Sequence, residues 1–234
     1  MTIKIKTRPI IFSAEMVNAV LDGRKTQTRK LIKCSKEIMQ DDSYTFLKAS
    51  PQSPQLERGL PPSARNMFNF VFGSKKGNGH FKIKCPFGKI GDRLWVRETW
   101  QIHEFELEHG GKEFPNILYK STGSTRLLID KCVWKFVKDK PSWRSPVTMP
   151  RWASRITLEI TNIQVERLQD ISEEDCLKEG IIRLDSRLGF IDPRKTEGSV
   201  LPSVQEAFQQ LWHSTKGKWD QNPWVWVISF RRVI

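Results

Sequence analysis

Between positions 23 and 30 the chain reads Gly-Arg-Lys-Thr-Gln-Thr-Arg-Lys, which places an amine, Lys25, three residues before a hydroxyl, Thr28. A lysine beside a hydroxyl makes a base and nucleophile pair if the amine gives up its proton near neutral pH. That requires burial or a neighbouring positive charge, and Arg24 and Arg29 can supply the second. The two groups must also face one space. Read from spacing alone, a basic turn that simply holds phosphate is the simpler account of the same residues, because Lys, Thr and Arg are ordinary surface types.

The element that must position this run is a helix. Met16, Val17, Val20 and Leu21 fall on one helical face, Ser13 is placed to cap its start, and Gly23 ends it. A short strand, Arg8–Phe12, precedes it. Residues 24–30 are then expected as a tight connection, on which an i, i+3 pair such as Lys25 and Thr28 faces one way as it would not on a flat strand. Further on, Ser172-Glu-Glu-Asp175 opens a short helix through Cys176, Leu177 and Glu179, which Gly180 stops. Glu179 has no evident partner in sequence and reads as an ordinary exposed helix residue.

A second group of residues suits unpaired bases. Trp95, Trp100, Trp143, Trp152, Trp219, Trp224 and Trp226 are interleaved with Arg93, Arg97, Arg144, Arg151 and Arg155. Indole rings stack on bases while guanidinium groups neutralise their phosphates. With nine tryptophans in the chain most must be core, and about one in three is expected to touch a ligand. The strand after the Gly91-Asp92 turn alternates Leu94, Val96 and Glu98 against Trp95, Arg97 and Thr99, so one of its faces is aromatic and basic.

Charge supports a polyanionic partner. The chain carries +13, and residues 1–100 alone hold 19 basic and 8 acidic side chains, whereas residues 151–234 hold 12 of each. Basic side chains gain affinity for polyanions by releasing condensed counterions. Charge that serves only solubility is the plainer alternative.

Residues 154–165 alternate Ile156, Leu158 and Ile160 with Thr157, Glu159 and Thr161, a half-buried strand; residues 223–233 are a final strand rich in aromatic and β-branched types; and residues 204–212 make an amphipathic helix. Polar, turn-rich insertions are expected at about 34–85, 101–150 and 183–202. Short strands at wide intervals with a few helices point to an α+β fold, a small mixed β-barrel with helices over its openings and long loop insertions, in one domain over residues 1–234. Alternating βα units are absent, which excludes a doubly wound parallel sheet.

Cys34, Cys85, Cys132 and Cys176 are spread nearly evenly without C-x-x-C spacing, and His80, His103 and His109 add no ligand pattern, so buried reduced thiols, no metal and no cofactor are expected. No apolar run long enough to span a bilayer and no signal-like start occur, so a cytoplasmic protein without a membrane partner is expected.

Three stretches together, Gly23–Lys30, Gly91-Asp-Arg-Leu-Trp-Val96 and Trp224-Val-Trp-Val-Ile-Ser-Phe230, resemble the ASCH domain, a PUA-like family. With Met149–Thr157 and Leu168–Asp175 the whole chain resembles the longer ASCH-domain proteins carried by phages and prophages. That family usually shows Gly-x-Lys-x-x-Glu-x-Arg, and here Gly23, Lys25, Thr28 and Lys30 stand at those four places. Thr in place of Glu is the pattern of the small ASCH amidohydrolases that deacylate N4-acetylcytidine with a lysine, a threonine and a later glutamate. The resemblance therefore implies catalytic roles for Lys25, Thr28 and Glu179. It further implies that Arg24 or Arg29 stabilises an oxyanion and that Trp95 stacks on the base. Lys30, or Arg29 one place early, replaces the usual Arg.

The partner implied is RNA or a modified nucleoside, with DNA as an alternative. Expected contacts are Arg24, Arg29, Lys30, Arg93, Trp95, Arg97, Arg151, Trp152 and Arg155. Three other functions compete: a binding module for RNA or DNA without turnover, a ribonuclease, and a phage assembly or host-interaction protein that meets a protein partner through its insertions.

Overall fold

The computed structural model of the chain describes residues 5–32, 44–50, 69–74, 80–104, 115–127, 142–184, 189–192, 200–213 and 218–233. Strand β1 (Thr7–Ile11) hands over to helix α1 (Ala14–Leu21) through Ser13, whose Oγ accepts the Met16 N–H, and Asp22 closes the helix. Gly23, at φ +76°, turns the chain out in the left-handed region that only glycine enters freely. Strand β2 (Gln27–Leu31) follows at once.

Thr28 thus lies within a strand and Lys25 before it, which differs from the single tight turn expected for residues 24–30. Strand pairing prevails because Gln27–Leu31 lies antiparallel to the closing strand, residue against residue, from Ser229 to Val225.

The stretches read as loop insertions carry sheets of their own. Strands β3 (Tyr44–Ser50), β4 (Asn69–Ser74) and β5 (His80–Lys84) make one antiparallel sheet. After β6 (Arg93–Arg97), strands β7 (Trp100–Glu104), β8 (Pro115–Tyr119) and β9 (Thr125–Leu127) make another. Each of these strands is short and has few alternating apolar positions, so its pairing partners rather than its own pattern define it. The remaining elements are β10 (Thr157–Arg167), helix α2 (Glu173–Lys178), the two-residue strands β11 (Ile182–Arg183) and β12 (Phe190–Ile191), helix α3 (Val204–His213) and β13 (Trp224–Arg232).

The organising element is a five-stranded sheet in the order β1-β6-β10-β13-β2, in which β1 runs parallel to β6 and every other pair is antiparallel. The architecture is mixed α+β with a mostly sheet core. Alternation along β13 divides that core. Trp224, Trp226, Ile228 and Phe230 join Ile10, Phe12, Leu94, Val96 and Leu158 on one face, while Val225 and Val227 face the other, beneath Leu168, Cys176, Phe208 and Leu211 from the segments carrying α2 and α3.

Strands β1 and β2 are the two edges of this sheet, and among the described residues neither pairs with a further strand. Phe230 N–H donates to Thr26 O and Ile32 N–H to Trp224 O, so alternate residues 26–32 turn their backbone groups to β13; Gln27, Arg29 and Leu31 turn theirs outward. On β1 the bonds Arg93 N–H to Lys6 O and Phe12 N–H to Arg97 O leave Thr7, Pro9 and Ile11 facing outward in the same way. The two edges meet across a cleft bordered by Pro9–Ile11 on one side and Thr28–Leu31 on the other, and Lys30 Nζ spans it to Ile11 O at 3.4 Å.

Cys85 and Cys176 are buried free thiols, which burial pushes up to about 11 and about 12; Cys34, Cys132 and His109 lie outside the described residues. Among the described residues no helix is long and apolar enough to cross a membrane, and no group of three His, Cys, Asp or Glu side chains is placed to hold a metal ion.

Ile228 is wholly buried opposite Thr28. Ile228→Ala should lower the urea-denaturation free energy by about 2–5 kcal/mol, and a loss below about 1 kcal/mol would show that the sheet interior is not the packed core.

Candidate active site

Lys25 reaches the site through the connection after α1. Its N–H donates to Ala19 O, the Thr26 N–H donates to Lys178 O, and these two bonds tie residues 25 and 26 to α1 and α2. Glu179 is the C-cap of α2, with Ser172 Oγ accepting the Asp175 N–H at the other end, and Gly180 follows at φ +101°. A β-carbon on Gly180 would sit 3.1 Å from Ala19 Cβ and 3.5 Å from Lys25 Cβ. Glycine there lets the end of α2 approach the Lys25 segment closely.

The approach brings together two residues 154 positions apart. Lys25 Nζ donates to Glu179 Oε2 at 2.5 Å and to the Glu179 carbonyl at 2.9 Å. The lysine side chain has no exposed surface and the glutamate almost none. The cation also meets the carbonyl end of α2, where a helix favours positive charge. Glu179 is therefore buried and paired, contrary to the exposed helix residue that its surroundings in sequence suggest.

Arg29 takes up the other side of the carboxylate. Its side chain is fully buried beneath α3, with the guanidinium 5.8 Å from the Phe208 ring centroid. Nε donates to Glu166 at 2.8 Å, Nη1 to Gln27 Oε1 at 2.7 Å and Glu179 Oε1 at 3.4 Å, and Nη2 pairs with Glu166 at 2.6 Å and Asp175 at 3.1 Å. Four of these contacts are hydrogen bonds and the Nη2–Glu166 contact is an ion pair, so all three guanidinium nitrogens are engaged. Arg29 thus holds Glu179 and is spent on carboxylates rather than placed to meet an oxyanion. Gln27, Glu166 and Asp175 are members of the site that sequence reasoning missed; the signals were the alternation of Gln27 and Arg29 along β2 and the i, i+4 spacing of Asp175 and Glu179 on α2.

Thr28 and Lys30 lie on the opposite face of β2 from Arg29, alongside Ile228 and Trp226. They border the cleft, of about 430 Å³, together with Glu179, Arg97 and the apolar side chains Met16, Phe87, Phe208 and Trp212. Lys25 and Glu179 are thus brought into direct contact, and Glu179 and Thr28 both border the cleft, from which Lys25 is screened.

Burial pulls the Lys25 amine below its usual value of 10.5, and the Arg29 charge pulls the same way, against the opposing pull of Glu179. Burial, reinforced by the Lys25 charge, brings Lys30 down to about 8. Both amines stand near the Phe12 ring, 5.8 Å and 5.6 Å from its centroid.

The other expected contact residues divide. Arg93, Trp95 and Arg97 share the outer face of β6, and Trp95 is largely buried, with the Arg97 guanidinium 4.6 Å and that of Arg151 5.9 Å from its ring centroid. The Nε atoms of Arg93 and Arg97 are buried without a hydrogen-bond partner among the described residues. Trp152 is partly exposed, edge-on to Trp100. Arg24 is occupied by Asp22 and the Gly180 carbonyl. Arg155 is held in a two-pronged bond to the buried Glu98 and by Ser121, Thr122 and Ser124, so it ties β10 to the β8–β9 hairpin and stands apart from the cleft.

A lysine lowered by folding carries a signature in stability. Between about 8 and 10.5 the unfolded chain holds more protons at Lys30 than the folded one, so this group makes stability rise with pH through that window, while its penalty is constant below it. Denaturation of wild type and Lys30→Met at about pH 7 and about pH 10 should show the wild type gaining on the variant at the higher pH, and an unchanged difference would contradict a lowered amine. Set against protein-family models, curated proteins and solved structures, the chain finds no match in any of the three.

Proposed function

We propose that the chain is an ASCH-type, PUA-like protein directed at nucleosides or nucleic acid, and that its cleft hydrolyses the amide of an acylated cytidine. The observation that carries this reading is the buried Lys25–Glu179 pair at the wall of a cleft that also presents Thr28. Burying a lysine and a glutamate together usually costs more than their attraction returns, so a fold that keeps such a pair beside an open cavity suits proton transfer better than stability. The mouth suits a planar ring, because the open edges of β1 and β2 offer backbone donors and acceptors and Phe87, Met16 and Phe208 offer apolar faces.

In this mechanism the oxygen of Thr28 or of a water attacks the acyl carbon. The Lys25–Glu179 pair takes its proton, with Glu179 as the member that borders the cleft and Lys25 holding it in place. Arg29 is a positioning residue that holds the carboxylate. Attack by Thr28 leaves an acyl ester that a water then hydrolyses, and attack by water gives the carboxylic acid and the freed amine directly.

A second reading rests on the face of β6 where Arg93, Arg97 and Arg151 gather around the largely buried Trp95, with Arg97 reaching the cleft. That face suits single-stranded nucleic acid, with or without turnover. RNA or DNA bound there should dissociate steeply with added salt, whereas a free nucleoside in the cleft should show little salt dependence.

Purified protein should release cytidine from N4-acetylcytidine, and Glu179→Gln and Lys25→Ala should each slow release by roughly 10²–10⁴-fold. Thermal unfolding of each variant separates lost chemistry from lost folding. Turnover by folded variants equal to that of wild type removes the pair from the mechanism.

A further inference from the structure

The cleft contains two lysines in its vicinity, and they are not equivalent. Lys25 has no exposed side-chain surface, and its amine is committed to the two Glu179 oxygens at 2.5 and 2.9 Å. Lys30 borders the cavity itself, is only partly buried, and bonds one acceptor, Ile11 O, at 3.4 Å. Among the described residues it has no carboxylate within ion-pair distance. An ammonium has three donors, so at least two of those on Lys30 are open to whatever enters. The bond to Ile11 O places the amine between β2 and β1, in a cleft that Thr28 and Glu179 also border.

We propose that Lys30, and not Lys25, is the amine that meets the ligand, and that in the amide hydrolysis proposed above, on which this role rests, it is the general acid that protonates the leaving nitrogen. The step balances as follows. The attacking water forms the new C–O bond and passes one proton to the Glu179 carboxylate; the acyl C–N bond breaks and the leaving nitrogen takes a proton from the Lys30 ammonium. The proton on Glu179 then returns to the neutral Lys30. The products are the carboxylic acid and the exocyclic amine of the base, and both side chains are restored.

The surrounding charges fit this division of labour. Lys25 stands behind Glu179, Arg29 is spent on the far face of β2, and Arg97 borders the cavity from β6. Burial is the main cause that brings Lys30 down to about 8, the Lys25 charge adds to it, and the Glu179 carboxylate pulls the other way. An arginine in its place would keep the charge and could not give up the proton. Lys30→Arg therefore separates binding from proton transfer.

The test has two arms on the full-length protein. In the first, kcat and KM for N4-acetylcytidine are measured for wild type, Lys30→Arg and Lys30→Met across pH. Wild-type kcat should fall as pH rises through about 8, the acid being lost. Lys30→Arg should keep KM within about threefold while kcat drops roughly 10²–10³-fold and loses that alkaline limb. In the second arm, reductive methylation with formaldehyde and borohydride is followed by peptide mass spectrometry, with and without cytidine. Lys30 should be methylated well before Lys25, and cytidine should slow it. Methylation of Lys25 as fast as Lys30, or full turnover by Lys30→Arg, overturns the proposal. Failure of wild type to deacylate any N4-acylcytosine sinks the hydrolase reading and the acid role together. In that case the labelling order still decides whether Lys30 is the amine that faces the ligand.

Discussion

The bond from Lys25 to Glu179 is the constraint around which the rest is arranged. An amine and a carboxylate leave water together, and in a medium of low polarity neither can stay there without a full set of partners. The lysine finds them in both a carboxylate oxygen and the last carbonyl of α2. The glutamate finds a second partner in Arg29, and Arg29 in turn requires Glu166, Asp175 and Gln27. One buried pair therefore recruits side chains from β2, β10 and α2. Loss of any member leaves a charge in the interior with its hydration gone, which is why the network is expected to fail as a unit rather than piecemeal.

The backbone makes this arrangement possible through two glycines and one alternation. Gly23 releases the chain from α1 so that Lys25 can point inward, and Gly180 brings the end of α2 against it. Along β2, side chains alternate between the two faces of the sheet. Arg29 is sent under α3 to hold Glu179 from outside, while Thr28 and Lys30 are sent toward the cleft. A one-residue slip in the pairing of β2 with β13 would exchange the two faces, taking the guanidinium away from Glu166 and Asp175 and putting the Thr28 hydroxyl in its place. The register from Thr28 opposite Ile228 to Lys30 opposite Trp226 thus matters to the chemistry as much as to stability.

Much of the frame was legible in the residues. The cap at Ser13, the stop at Gly23, the cap at Ser172 and the alternation along β6, β10 and β13 are local signals, and each element forms where its signal lies. Most tryptophans do go to the interior, Trp95, Trp100, Trp212, Trp224 and Trp226 among them, with Trp143 and Trp152 exposed. What could not be read was long-range. The sheets β3–β5 and β7–β9 lie in stretches whose composition suggests loops, because a short strand is defined by the partner it pairs with. The burial of Glu179 depends on a segment 154 residues away. Arg29 reads as a surface base until its acceptors are located, since nothing near it in sequence announces Glu166 and Asp175.

The division between a sealed lysine and an open one follows from the same geometry. An amine held by a carboxylate and a carbonyl is well placed to hold its neighbour and poorly placed to leave it, so the amine free to donate to a ligand is one with unused donors. Among the described residues that border the cleft, the Lys30 ammonium is such a group. Glu179 and Lys30 both border the cleft, and the Lys30 ammonium is brought down to about 8, first by burial and then by the Lys25 charge. A strand added between β1 and β2 would pair with the outward backbone groups of Arg29 and would compete with the Lys30 amine for the Ile11 carbonyl.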